Sequence, residues 1–297
     1  MTSPRTQLIH NPGAGFTDYS RKQMLNIFAE ENWEVSYMST KAEWHIHDST
    51  EMVIIAGGDG TVRKVVGKIA CWPQKPILGI LPIGTANNIA RSLGIGSNIR
   101  ETLKSWRNNQ YSTKAYDLGM IEQPVNGEFF LESVGVGIFP HLMKAMEYKK
   151  HTKPKTVEES IKNSLVTLHE TGLVYEPHYA CIELDKEIYS GLFLWIEIMN
   201  MNLMGPGLTI VPAADSNDQI LDVIMVREDD RDKINSYFES SLTSNPLPFP
   251  IPSIKTDKLK LQWYGSRVHV DDDLQNFPSS GEMCIAVKSQ ALQFLLP

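Results

Sequence analysis

A chain of 297 residues with 42% hydrophobic and 21% charged side chains has the composition of a globular protein, and it is long enough for two compact domains. A net charge of −7 gives no bulk attraction to nucleic acid or to an anionic membrane. Cys71, Cys181 and Cys284 lie far apart with no CxxC or metal spacing, which argues against a disulfide framework or a zinc site and fits a reducing compartment. The N-terminus has no secretory pattern, and nowhere do about 18 apolar residues run together, so no transmembrane helix is expected.

In chain order, the apolar run Thr6–His10 stops at Asn11-Pro12-Gly13-Ala14-Gly15, a loop by its turn residues. The next segment, 21–32, sets Met24, Leu25, Phe28 and Ala29 on one helical stripe, with Thr17, Asp18 or Ser20 as cap. A strand over 34–39 follows. The nearly continuous apolar run 52–56 then has the pattern of a parallel strand covered on both faces. A helix from about Val62 is expected to turn Val62, Val65, Val66 and Ile69 inward; 77–84 reads as a buried strand and 85–94 as a short helix stopped by Gly94. This alternation predicts a doubly wound, mostly parallel α/β domain with right-handed crossovers. After Asp117 strand-like runs crowd together, with one main helical stretch from about His141 to Glu170. The second domain is therefore expected to be β-rich, an antiparallel sandwich or barrel-like fold. The expected boundaries are 1–118 for the first domain, with a strand near 283–297 able to return to it, and 119–282 for the second.

The stretch Gly57-Gly58-Asp59-Gly60-Thr61 sits at a strand end. In an open parallel sheet, ligands bind beyond such ends. Glycines let the backbone approach a bulky anion, and the following helix offers N–H groups and the positive end of its dipole. Thr61 is suited to cap that helix or to bond a phosphate oxygen. Asp59 would repel phosphate unless a cation such as Mg²⁺ intervened. Alone, the motif reads as a tight turn capped by Asp59; it is neither a Walker A loop nor a GxGxxG loop. It is not alone, however, because Asn11–Gly15 and the run Leu81 to Arg91 end neighbouring strands. Three polar loops at one sheet edge point to a nucleotide site.

The motifs NPGAG, GGDGT and LPIGTANNIAR, then Tyr116-Asp117-Leu118-Gly119, Gly135-Val136-Gly137, MNMNLMGPG, VPAADSNDQILDV and VHVDDD, run in one order over nearly the whole chain. In these the sequence resembles the diacylglycerol kinase catalytic-domain family: bacterial soluble lipid kinases related to sphingosine and ceramide kinases and, more distantly, to NAD kinases. The resemblance implies a nucleotide-binding N-terminal domain and a β-rich lipid-substrate domain, with ATP and Mg²⁺ as cofactors. It implies nucleotide contacts at Asn11, Pro12, Gly13, Ala14, Gly15, Thr40, Gly57, Gly58, Asp59, Gly60, Thr61 and Thr85. It also implies an acidic network around Mg²⁺ from Asp59, Asn88 and Asp117, and Asp271 as general base. A second, structural Mg²⁺ site falls at Asp215, Asp218 and Ile220, with Asp215 and Ile220 contributing backbone carbonyls. The implied activity is transfer of the γ-phosphoryl group of ATP to a hydroxyl of diacylglycerol or a related lipid alcohol. The implied setting is cytoplasmic, with the lipid presented at the inner membrane face; no nucleic-acid partner is expected, and a homodimer is left open.

Phosphoryl transfer independently needs positioned phosphates, a cation and a group to take the hydroxyl proton. Asp271-Asp272-Asp273 offers three carboxylates at a strand end, which a solvated turn would equally explain. The chain departs from the family pattern where Arg63 and Lys64 replace a polar-acidic pair, Asn88 replaces Asp, Asp271-Asp272-Asp273 replaces Asp-Gly-Glu, Gly205-Pro206-Gly207 replaces a glycine run and Gln219 replaces Gly. These departures raise a rival reading, a nucleotide- or lipid-binding protein with weak or no turnover. His45 and His47 read as surface histidines, the Met-rich 198–204 as core, and Lys149, Lys150, Lys153 and Lys155 as a solvated run or a membrane-surface contact.

Overall fold

The computed structural model describes residues 4–16, 19–107, 112–123, 128–148, 154–278 and 281–297. Thr17, Asp18, Lys149, Lys150 and Lys153 lie outside them. The chain groups into two compact units, Met1–Tyr116 with Gln290–Pro297, and Asp117–Ser289.

The first unit runs β1 (Thr6–His10), α1 (Arg21–Glu30), β2 (Ser36–Ser39), β3 (Met52–Gly57), α2 (Asp59–Ile69), β4 (Ile77–Pro82), α3 (Asn88–Ser92), α4 (Ile99–Arg107) and the start of β5 (Ser112–Gln123). Strands β2, β1, β3 and β4 pair in parallel in that order. All six residues of β3 are buried, as its unbroken apolar run requires. Met52, Ile54 and Ala56 share a core with Met24 and Phe28 of α1 and with Leu103 and Trp106 of α4. Ser20 caps α1 in a reciprocal capping box with Gln23, so Ser20 is the cap among the sequence candidates described. Helix α4 was not anticipated from the sequence, although Ile99, Leu103 and Trp106 are buried on one stripe.

The second unit contains β6 (Glu128–Phe130), β7 (Ser133–Gly137), α5 (Ile138–Tyr148), α6 (Val157–Val174), β8 (His178–Leu184), β9 (Glu187–Met199), β10 (Leu203–Met204), β11 (Leu208–Thr209), β12 (Leu221–Arg227), α7 (Arg231–Ser240), β13 (Ile254–Thr256), β14 (Lys258–Trp263), β15 (Arg267–Val270), β16 (Asp273–Asn276) and most of β17 (Glu282–Leu296). Its pairings are antiparallel: β16 with β15, β15 with β7, β7 with β9, β9 with β8, β8 with β14 and β14 with β17. The C-terminal part of β17 belongs to the first unit, where Phe294 registers in parallel with Leu78 of β4. The fold class expected from sequence, parallel α/β followed by antiparallel β, is the one observed. Strand β7 ends at Gly137, where φ of +98° breaks the extended chain and α5 begins. In the apolar stretch 208–213 only Leu208–Thr209 is strand.

His10 closes β1 just before the first loop and is fully buried. Its Nδ1 lies 3.0 Å from the Tyr37 hydroxyl. Burial first, then the nearby Lys41 ammonium, lowers its pKa to about 4. The unfolded chain takes up this proton near pH 6.5 and the folded chain does not, so stability is lost as pH falls between those values. Relative to His10→Gln, the wild type should lose stability as pH is lowered from about 6.5 to about 4. Urea midpoints at stepped pH check this, and parallel curves for the two proteins would contradict it.

Candidate active site

The registers of the first unit set four loops on one edge. His10 pairs with Ala56 and with Ser39, and Gly57 pairs with Pro82, so β1, β2, β3 and β4 finish together. The chain leaves each strand through a backbone bond to its neighbour: Asn11 N–H to the Ala56 carbonyl at 2.9 Å, Thr40 N–H to the His10 carbonyl at 2.9 Å, and Ile83 N–H to the Gly57 carbonyl at 3.2 Å. Asn11, Thr40, Gly58 and Ile83 therefore follow the same edge. The loops also touch. The Asn11 amide donates to Thr61 Oγ1 at 3.1 Å, and Asn11 Oδ1 accepts from Gly13 N–H. A Cβ on Gly84 would lie 2.4 Å from the Gly58 Cα, and one on Gly15, whose φ is +66°, would lie 2.3 Å from the Ile83 carbonyl oxygen. These glycines are required by backbone-to-backbone approach. Ala14 is buried in the core below, and Thr85 is half-buried in the turn after β4.

Two details differ from expectation. Helix α2 starts at Asp59, not near Val62, with Gly58 as its N-cap. Thr61 is therefore inside the first turn, buried, and receives Asn11 rather than capping the helix. Asp59 does cap a helix, but a different one. Its carboxylate accepts from Asn88 N–H and Ile89 N–H, each at 3.0 Å, at the start of α3. That helix follows Asn87, which adopts φ +50° and bonds Gly84 through both its amide groups. Asp59 and Asn88, expected to share a cation network, are thus neighbours through a carboxylate-to-backbone bond. Lys64 is exposed on α2, and Arg63 is half-buried.

In the second unit, Asp117 is fully buried. Its Oδ2 accepts from Gln219 N–H at 2.7 Å, and its own N–H donates to the Ser216 carbonyl. Gln219 has φ +64°, the left-handed conformation a glycine would take without penalty. Asp218 is held by Ile220 N–H on Oδ1 and by the Lys255 ammonium on Oδ2, at 2.9 Å. Asp215 Oδ1 accepts from Asn217 N–H. The positive charge beside Asp218 is thus a lysine of β13. Among the described residues no three His, Cys, Asp or Glu side chains are grouped as metal ligands.

Asp271 and Asp272 form the two-residue turn between β15 and β16, and Asp271 has φ +51°. A hairpin turn of this length demands positive φ, which Asp tolerates. The Asp271 side chain bends back onto β7: Oδ1 accepts from Leu131, Glu132 and Ser133 N–H at 3.1, 2.8 and 3.2 Å, and Oδ2 accepts from Leu131 N–H at 3.0 Å. Asp272 and Asp273 are exposed. The three consecutive residues therefore differ: the Asp271 carboxylate is held by backbone N–H groups, and Asp272 and Asp273 are exposed. Asn200, whose role the sequence reading passed over, ties Asp117 to Leu131: its amide donates to the carbonyls of both, and the Leu131 N–H in turn donates to Asp271. Glu197 and His269 were also missed. The signal for Glu197 was a carboxylate inside the apolar run Leu194–Met199; it is fully buried.

Residues 5–121 match the family model for the diacylglycerol kinase catalytic domain. That segment holds the three glycine-containing loops. Over 236 residues the chain is 27% identical to a diacylglycerol kinase of Bacillus subtilis (strain 168), covering 75% of this chain and 74% of that one. Over 238 residues it is 26% identical to a diacylglycerol kinase of Staphylococcus aureus (strain MRSA252), covering 75% and 71%. A crystal structure of a diacylglycerol kinase from Bacillus anthracis str. Sterne superposes with a TM-score of 0.76 at 22% identity, over 99% of this chain and 98% of that one. An NAD kinase from Archaeoglobus fulgidus, solved in complex with ATP, gives 0.55 at 12% identity, over 98% and 92%. The last two likenesses show the fold alone.

If Asp59 is the cap of α3, its removal must destabilise the protein with no nucleotide or metal present. Asp59→Ala should cost about 1–3 kcal/mol, the penalty for stripping a charged acceptor from buried N–H groups. Urea unfolding in EDTA measures it, and an unchanged midpoint would show that the carboxylate does no capping.

Proposed function

We propose that this chain is an ATP-dependent lipid kinase that transfers the γ-phosphoryl group to a hydroxyl of diacylglycerol or a related lipid alcohol. The observation that carries the reading is the convergence of Asn11–Gly15, Gly57–Thr61 and the turn from Ile83 to Asn88 on one sheet edge, inside the segment matched by the kinase family. The first unit would bind nucleotide through Asn11, Gly13, Gly15, Thr40, Gly58, Gly60, Thr61 and Thr85, with phosphate oxygens at the start of α2, where the first N–H groups of a helix lack intrahelical acceptors. The second unit would bind the lipid.

Asp271 is assigned as the base that takes the lipid hydroxyl proton. Its carboxylate is held in one orientation by the N–H groups of residues 131–133, which supports the positioning that phosphoryl transfer requires. Asp59, Asn88 and Asp117 are the groups proposed around Mg²⁺, whose chemistry is neutralisation of charge on the phosphates. A second ion at Asp215, Asp218 and the Ile220 carbonyl would have to displace Lys255 from Asp218. No helix among the described residues is long and apolar enough to cross a membrane, which agrees with a lipid substrate met at a surface. A cytoplasmic, peripheral enzyme is the setting we propose.

A second reading, a nucleotide- or lipid-binding protein without turnover, draws on the commitment of Asp59 to the N–H groups of α3. One assay separates the two: labelled ATP with Mg²⁺ and vesicles containing diacylglycerol or total lipid extract, the products identified by mass spectrometry. The wild type should yield a phosphorylated lipid. Asp271→Asn should lower the rate by about 10²–10⁴ with nucleotide affinity retained. Binding of Mg-ATP with no phosphorylated lipid under any condition would favour the second reading.

A further inference from the structure

Behind Asp271 lies a buried pair that the kinase reading does not use. Strand β7 lies between β15 and β9, and one of its residues, Gly135, registers with His269 on one side and Glu197 on the other. The two flanking backbones are two strand spacings apart, about 9.5 Å. Their side chains meet across Gly135, with His269 Nε2 at 2.9 Å from Glu197 Oε1 and 3.1 Å from Oε2. A Cβ on Gly135 would lie 2.0 Å from Glu197 Oε2, so the glycine is what lets them meet. His269 is 2% exposed and Glu197 0%. The Trp195 indole N–H donates to Glu197 Oε2 at 2.8 Å, and the Phe139 ring of α5 lies beside the imidazole.

The other ring nitrogen fixes the direction of the effect. His269 Nδ1 lies 2.9 Å from the carbonyl oxygen of Asp271. Each nitrogen thus faces an oxygen: a backbone carbonyl, which only accepts, and a carboxylate. A neutral imidazole has one N–H and one lone pair. Beside an ionised Glu197 it would set that lone pair against one of the two oxygens. Both bonds form at once when the ring is imidazolium and Glu197 is carboxylate. Asp271 is then held at its N–H by the Ser133 carbonyl, at its side chain by residues 131–133, and at its carbonyl by His269. The hold on the carbonyl bears directly on a residue kept at φ +51°.

We propose that Glu197 and His269, meeting over Gly135, are positioning residues that hold the Asp271 turn in its reactive conformation as a buried carboxylate–imidazolium pair. The inference rests on the assignment of Asp271 as base. The titratable groups that face His269 are Glu197 on β9 and Asp271 in its own turn; the β7 and α5 residues against it, Gly135 and Phe139, do not titrate. Burial acts to lower the pKa of His269, but the Glu197 charge and the bonds to Glu197 and Asp271 outweigh it, and the net shift is upward. The hold is therefore complete at and below about pH 6.5 and is lost as pH rises through the folded pKa.

The test has one arm free of catalysis and one within it. In ¹⁵N-labelled wild-type protein at pH 7, the His269 ring should show both nitrogens protonated, in wild type and in Asp271→Asn alike. In Glu197→Gln that doubly protonated state should disappear at the same pH. In the kinase assay, His269→Leu should lose at least tenfold in kcat with KM for ATP unchanged. His269→Asn, whose amide can donate where Nδ1 does, should recover most of kcat and flatten its alkaline fall. Glu197→Gln should move that fall at least one pH unit lower. A neutral His269 ring at pH 7 would overturn the proposal, as would a His269→Leu enzyme with the wild-type kcat and pH profile. Should Asp271→Asn prove fully active, the base assignment fails, and the positioning role fails with it even where the ring is doubly protonated.

Discussion

Parallel strands that finish in register place every following loop on one edge, and in this protein the pairing of His10 with Ala56 and of Gly57 with Pro82 is the constraint from which the N-terminal unit is built. Once those residues are level, the loops beginning at Asn11, Gly58 and Ile83 are forced into contact. Only residues without side chains fit where they cross, which is why glycine stands at 15, 58 and 84. The helix start that results has a use for its first N–H groups only if an anion or an acceptor meets them.

A second theme is how aspartates are employed. Asp59 caps α3, Asp117 receives the Gln219 N–H, and Asp271 gathers the N–H groups of three successive residues. Each is part of the phosphoryl-transfer reading, and each is also the acceptor for backbone groups that would otherwise be buried without one. These bonds fix the orientation of each carboxylate. A carboxylate held by two or three backbone donors cannot rotate away when substrate arrives, so little reorganisation is needed at the moment of reaction. On the proposed kinase reading, substitutions at these positions would bear on stability as well as on activity.

The imidazole–carboxylate contact over Gly135 extends the same logic one layer deeper. An ion pair in an apolar interior is costly unless every remaining donor and acceptor is matched. Here Trp195 and His269 both meet Glu197 Oε2, and His269 also meets the Asp271 carbonyl, in a single row across β9, β7 and β15, while Glu197 Oε1 faces His269 at 2.9 Å without a hydrogen bond of its own. The cost of burying charge is offset by geometry imposed on the hairpin turn that bears Asp271.

Periodicity and turn chemistry made the parallel β-α-β order, the buried run of β3, the α2 stripe and the antiparallel texture after Asp117 legible in the sequence, because local backbone preference and hydrophobic pattern decide those features. The glycine-containing loops and the late aspartates stood out in the sequence as motifs. The sequence did not show that Asp59 caps α3 rather than its own helix, that Lys255 faces Asp218, or that Glu197 and His269, 72 positions apart, meet above a glycine. Nor did it show α4 and α7, whose short stripes are broken by polar residues and are resolved only by the surfaces they cover. The side-chain meetings depend on strand register, and shifting a strand by one residue turns its side chains to the other face. Register is settled by the packing of the whole sheet, so the chain alone determined which chemical groups were present, and the tertiary structure decided which of them touch.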